Sequence, residues 1–173
     1  MWEGYMTTRT AMSQDRPRGF YCEEFEEELE LVTPARTITE TDIQLFAGLA
    51  DDYNQIHTDA EFCKDTVFGQ RVAHGVLGLS IATGLGARLG FIEGTAVAFR
   101  ELTWKFVGPI FIGDTIHLNI TVSQKKAMPR LGMGLITFDV SIVNQKDEVV
   151  QKGQWKVLIQ SQDAKTSPLL RQE

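Results

Sequence analysis

Residues 46–90 read FAGLADDYNQIHTDAEFCKDTVFGQRVAHGVLGLSIATGLGARLG, and the fold turns on how that stretch is parsed. From Gly75 to Leu89 the residues are nearly all apolar or small, with Val76, Leu77, Leu79, Ile81, Ala82, Leu85 and Ala87 among them. This predicts a long helix that is greasy on every side, and such a helix is buried on every side. The first half instead passes through Asp51-Asp52-Tyr53-Asn54, residues that prefer caps and turns to helix interiors. That turn gathers Asp52, Asn54 and His57, an acid, an amide and an imidazole suited to proton transfer. Gly75, at the entrance of the apolar helix, can offer a bare backbone N–H to a developing oxyanion.

Upstream, Thr39 and Asp42 have the spacing of a capping box. Ile43, Phe46, Ala47, Leu49 and Ala50 then recur at intervals of three and four, which predicts a short amphipathic helix. Before it, Leu29, Leu31 and Thr33 alternate as in a first strand, and the Glu-rich run from Glu23 to Glu30 reads as solvated surface. Residues 1–20 read as an N-terminal arm. Residues 58–73 read as loop, with one helical turn over Asp59 to Lys64.

Downstream the period changes. Thr95 to Phe106, Pro109 to Ser123, Gly132 to Val143 and Glu148 to Ile159 alternate apolar and polar residues and are rich in Val, Ile, Thr, Phe and Trp. They predict four strands joined as a meander. Gly113-Asp114 predicts a bulge or bend inside the second of them, and residues 161–173 read as a tail. The class is therefore α+β: an antiparallel sheet wrapped around one long central helix, in a single domain over residues 21–160. A sheet of this kind leaves an open edge, which predicts a homodimer or a higher oligomer of dimers.

Composition narrows the function. The 173 residues are 43% hydrophobic and 23% charged, ordinary values for a globular chain. A net charge of −6 argues against nucleic acid as a partner. No run approaches the ~18 apolar residues of a membrane span, and the first residues lack the apolar core of a secretory signal. The expected location is cytoplasmic. Cys22 and Cys63 are far apart and without metal-type spacing, so both read as unbridged thiols. Gly84-Leu85-Gly86 lies inside a helix, where it permits close packing and does not form a dinucleotide loop.

Three segments together carry a resemblance: Phe46-Ala47-Gly48, Asp52-Tyr53-Asn54-Gln55-Ile56-His57, and Arg71-Val72-Ala73-His74-Gly75-Val76-Leu77. With Pro109 to Thr115, they make the chain resemble the MaoC-like hydratases and dehydratases of the hotdog fold, which include the (R)-specific enoyl-CoA hydratases. The likeness runs from about Glu28 to Ile159. Two positions depart from it, Ala50-Asp51 where the family often has Ser-Gly, and Gln55 where it often has Pro.

The resemblance implies reversible hydration of a 2,3-enoyl-CoA thioester, with Asp52 and His57 as the catalytic acid and base and Asn54 orienting them. It also implies Gly75 as the oxyanion donor, while Ser80 and Thr83 further along the helix are candidates to edge the substrate pocket. Coenzyme A enters as the acyl carrier of the substrate, and no bound cofactor or metal is expected. Arg71, Arg88, Arg100 and Lys105 are candidates for its phosphates, or else surface charge, and His74 is expected to be structural. Two other functions on the same fold stay open. One is an acyl-CoA thioesterase, disfavoured because Val76 to Leu89 holds no Asp or Glu. The other is a non-catalytic acyl-CoA-binding module.

Overall fold

The computed structural model describes residues 18–164, so most of the expected arm and tail lies outside the described residues. In chain order the elements are β1 (Glu30–Val32), β2 (Arg36–Thr37), α1 (Glu40–Ala50), α2 (Gln55–Thr58), α3 (Ala60–Lys64) and α4 (Gly75–Leu89). They are followed by β3 (Ala96–Phe106), β4 (Thr115–Met128), β5 (Met133–Val143) and β6 (Val149–Gln160). The strands make one antiparallel sheet in the order β1-β4-β5-β6-β3, with β2 also paired to β4.

The four long strands are thus not a simple meander. Short connections join β4 to β5 and β5 to β6, and these pairs are hairpins. Val107 to Asp114 is too long for a tight turn, and Phe111 within it bridges to Val72. The chain therefore crosses over, and β3 lies on the far side of β6, at an edge. The bend expected inside the second strand is a turn in front of it. Gly113 takes a positive φ of 92°, and the Asp114 carboxylate accepts from Phe111 N–H and from the Gln145 side chain, so β4 starts only at Thr115.

Helix α4 has the expected bounds, ending at Gly90 with φ 74°. It packs on one face of the sheet. Leu77, Ile81, Ala82 and Leu85 share a core with Leu118, Ile120, Phe138, Val140, Ile142 and Trp155. Each large apolar side chain buried there contributes ~1.5–3 kcal/mol. The helix is not buried all round, however. Val76, Ser80, Thr83, Gly84 and Ala87 are exposed, because the sheet covers only one side of it. The same holds within Gly84-Leu85-Gly86. Gly86 lies against Trp155, where an added Cβ would come within 3.2 Å of the ring, whereas Gly84 faces open space.

α1 begins at the expected capping box. Thr39 accepts from Asp42 N–H, and Asp42 accepts from Thr39 N–H. The helix buries only Ile43 and Ala47, and Leu49, expected on the packed face, is 84% exposed. Cys22 and Cys63 are both buried and unbridged.

Candidate active site

The polar turn is built by two caps. Asp51 ends α1 in the left-handed region, at φ 56°. Asn54 then starts α2, its side-chain oxygen accepting from Ile56 N–H at 3.2 Å. So short a run carries no helical period, and α2 is an element that the pattern of residues does not predict. It carries His57 inward: this ring is buried, whereas Asp52 stays exposed.

His57 Nδ1 faces the Val72 carbonyl at 2.8 Å. A carbonyl only accepts, so Nδ1 carries the proton and Nε2 is the atom free to exchange one. Nε2 lies 4.0 Å from Asp52 Oδ2. That is beyond a direct hydrogen bond and suits a single water bonded to both groups. Asp52 Oδ1 meanwhile accepts from Asn54 N–H at 3.2 Å. Asn54 therefore acts on the pair through its backbone and as the cap of α2. Its side-chain oxygen is taken up by the cap itself.

His74 joins the turn to α4. Its Nε2 donates to the Asp52 backbone carbonyl at 2.9 Å, and its ring stacks on His57 with centroids 3.7 Å apart and planes 27° from parallel. The Phe46 ring also lies against it, tilted by 55° with centroids 5.1 Å apart. Asp52, His57 and His74 each bring a ligand-type atom within 4.8 Å of the others. Of the four ring nitrogens, two are taken by backbone carbonyls, and the stacked rings face one another.

Gly75 follows His74 as the first residue of α4. Its N–H has no acceptor among the described residues, and His74 supplies no side-chain cap. An open N–H at a helix N-terminus, aided by the helix dipole, is a donor for developing negative charge. The Phe106 ring covers this point so closely that a Cβ on Gly75 would come within 3.0 Å of it.

Ser80 and Thr83 are not drawn into this cluster. Both are exposed, and their hydroxyls donate back into α4, to Val76 O at 2.9 Å and Ser80 O at 2.8 Å. Ser80 borders a cavity of about 420 Å³ with Arg36, Ile81, Gly84, Leu85 and Arg88. Of the other cations, Arg71 is paired with Glu40 at 2.8 Å and Lys105 lines a groove with residues of β4, β5 and β6. Gln151, which bonds the Gly75 carbonyl from inside the core, was missed from sequence because one Gln in an alternating strand carries no signal.

The model of the MaoC like domain family matches residues 24–141. An (R)-specific enoyl-CoA hydratase of Rhodospirillum rubrum is 41% identical over 90 residues, which are 51% of this chain and 60% of that protein. The curated relatives it matches are thus covered over only part of their length, for some as little as 34%. Among solved structures, a monoamine oxidase regulatory protein of Archaeoglobus fulgidus superposes with a TM-score of 0.77 at 34% identity, over 83% of this chain and 95% of that one. A conserved Mycobacterium tuberculosis protein with a double hotdog fold superposes at 0.75 with 15% identity, over 86% of this chain and 46% of that one; it bears on the fold alone.

Proposed function

This chain belongs to the MaoC-like domain family, and on that premise we propose that it catalyses reversible hydration of the 2,3-double bond of an enoyl-CoA. The observation that carries the reading is the 4.0 Å gap between Asp52 Oδ2 and His57 Nε2, beside the helix entrance at Gly75. The enoyl-CoA hydratase named among its relatives supports the substrate class.

In the hydration direction a water sits between the Asp52 carboxylate and a His57 ring that enters the cycle protonated at both nitrogens. Asp52 takes one of the water's protons as the oxygen attacks C3, and His57 gives its Nε2 proton to C2 on the same face. The negative charge that builds on the thioester oxygen meets the Gly75 N–H. The proton on Asp52 then returns to His57 across the gap, which resets the pair. Because Val72 keeps Nδ1 protonated throughout, only Nε2 exchanges protons. Such positioned acid–base help is worth ~10²–10⁴ in rate.

The acting unit is a homodimer. Among the described residues β3 has a neighbouring strand on one side only, and Phe99, Leu102 and Phe106 along it are 48%, 41% and 55% exposed. A long apolar edge of this kind calls for a partner strand. Among the described residues no helix is long and apolar enough to cross a membrane.

The assay is loss of enoyl absorbance from crotonyl-CoA and longer enoyl-CoAs, run beside release of free thiol from saturated acyl-CoAs. Hydration without thiol release is the expected result. Thiol release without hydration would make the protein a thioesterase, and neither activity across a broad panel would leave a binding module.

A further inference from the structure

Gln151 lies on the face of β6 that packs against α4 and is 2% exposed. Its cross-strand neighbours are Phe106 on β3 and Ile142 on β5. A buried amide among apolar side chains is costly unless both its ends are bonded. Here both are. Nε2 donates to the Gly75 carbonyl at 3.1 Å, and Oε1 accepts from Trp104 Nε1 at 2.9 Å. The helix also makes room for it: a Cβ on Gly78 would come within 2.5 Å of Gln151 Nε2 and 2.8 Å of Ile110 Cδ1. Glycine inside a helix is unfavourable relative to Ala, so helix and strand both give up stability at one spot to admit this amide.

The bond falls where the helix is least restrained. The first turn of a helix lacks upstream partners for its N–H groups. His74 gives no side-chain cap, and Gly75 has no Cβ to limit its backbone. We propose that Gln151, buttressed by Trp104, is a positioning residue that fixes the backbone of Gly75 and so aims its N–H at the substrate oxygen. This deepens the hydratase reading and rests on it. On one side of Gly75, His74 anchors the helix entrance to the Asp52 turn. On the other, Gln151 anchors it to the sheet. Neither Gln151 nor Trp104 need touch substrate to act in this way.

The test uses Gln151→Leu, Gln151→Met, Gly78→Ala and Trp104→Phe in the full chain, with enoyl-CoA hydration kinetics and the ¹⁵N–¹H resonance of the Gly75 amide. A misaimed donor loses transition-state stabilisation without losing ground-state binding. Gln151→Leu is therefore expected to lower kcat about tenfold with KM within about twofold, and to leave the shape of the pH–rate profile unchanged. Gly78→Ala, which keeps the amide but pushes it aside, is expected to do the same. The Trp104→Phe/Gln151→Leu double variant should fall no further than Gln151→Leu alone. The Gly75 resonance should move in each. Wild-type kcat in both Gln151 variants and Gly78→Ala would overturn the proposal, as would a loss confined to KM or tracking a fall in Tm. If the wild-type chain hydrates no enoyl-CoA, the hydratase reading fails. The Gly75 resonance then still decides whether Gln151 holds the helix entrance, and an unmoved resonance would overturn that part separately.

Discussion

The imidazole of His57 stacks on that of His74 at 3.7 Å, and this contact couples the ring proposed to exchange protons to the residue preceding the Gly75 amide. His57 is held on one side by that stack and at Nδ1 by the Val72 carbonyl, with Nε2 left facing Asp52. Rotation of the ring would break the Nδ1 bond. The Nε2 edge therefore has one orientation, set by backbone atoms from a different segment of the chain.

Removing either member of the proton-handling pair should cost most of the activity. Asp52→Asn and His57→Ala are each expected to lower kcat by ~10²–10⁴. The double variant should fall far less than the product of the two, because in the proposed mechanism both groups act on one water. The Asp52 side chain is 51% exposed, so Asp52→Asn should leave Tm within a few degrees of wild type. Unaltered turnover of crotonyl-CoA by both single variants would remove the pair from the mechanism.

Gly75→Ala separates activity from stability. The new methyl would meet the edge of the Phe106 ring at 3.0 Å, a contact that a shift of a few tenths of an ångström in that side chain relieves. Alanine also gains up to ~1 kcal/mol of helix propensity over glycine. Thermal stability is therefore expected to be held or slightly raised. The displaced ring and the methyl crowd the amide's approach, so kcat/KM should drop by at least ~tenfold. A variant with lower Tm and full activity would contradict both halves of this argument.

The parts of this fold legible in the sequence are those specified by local chemistry. Thr39 and Asp42 mark the start of α1, and the apolar run between His74 and Gly90 marks α4 at both ends. The candidate residues Asp52, His57 and Gly75 could be picked out because the turn and the helix entrance each have their own residue signature. What stayed hidden depends on contacts distant in sequence. Alternation along β3 says that it is a strand and not that β6 is its neighbour, and nothing local marks Gln151 as the partner of Gly75. The two departures from the family pattern also become intelligible only in three dimensions. Asp51 stands at φ 56°, where glycine would be at ease, and Gln55 follows the cap of α2 at the position where proline is favoured. Both keep the backbone of the turn with residues less suited to it.

The capping box of α1 gives an acid-sensitive stability. Burial works the other way, but the Thr39 N–H and hydroxyl, and then the Arg36 guanidinium, hold the Asp42 carboxyl below the usual carboxylate range. A carboxyl with a depressed folded-state pKa stabilises fully above its unfolded value of ~3.9, and that stabilisation is lost as pH falls through the lower folded value. Asp42→Asn is therefore expected to destabilise by ~0.5–2 kcal/mol at pH 7. The gap between variant and wild-type Tm should narrow as pH drops below ~4. A gap that stayed constant down to pH 2 would show that the carboxylate charge contributes nothing.

The exposed edge of the sheet gives the last test. β3 runs from Ala96 to Phe106 with β6 on one side and, among the described residues, no strand on the other, and its Leu102 side chain is 41% exposed on the face shared with Trp155. Two copies joined along this edge would continue the sheet and cover Phe99, Leu102 and Phe106 at once. A charge at Leu102 would have to be buried without a partner in that arrangement, whereas in a monomer it would be solvated at little cost. Leu102→Asp is therefore expected to shift the mass in sedimentation equilibrium from twice 19.4 kDa to 19.4 kDa while the chain keeps its far-UV circular dichroism. Phe106, at the end of the same strand, covers Gly75, so dissociation should also lower hydratase activity, and raising the protein concentration should partly restore it. A wild-type chain that sediments as a monomer, or a Leu102→Asp dimer of unchanged affinity, would rule out this edge as the subunit contact.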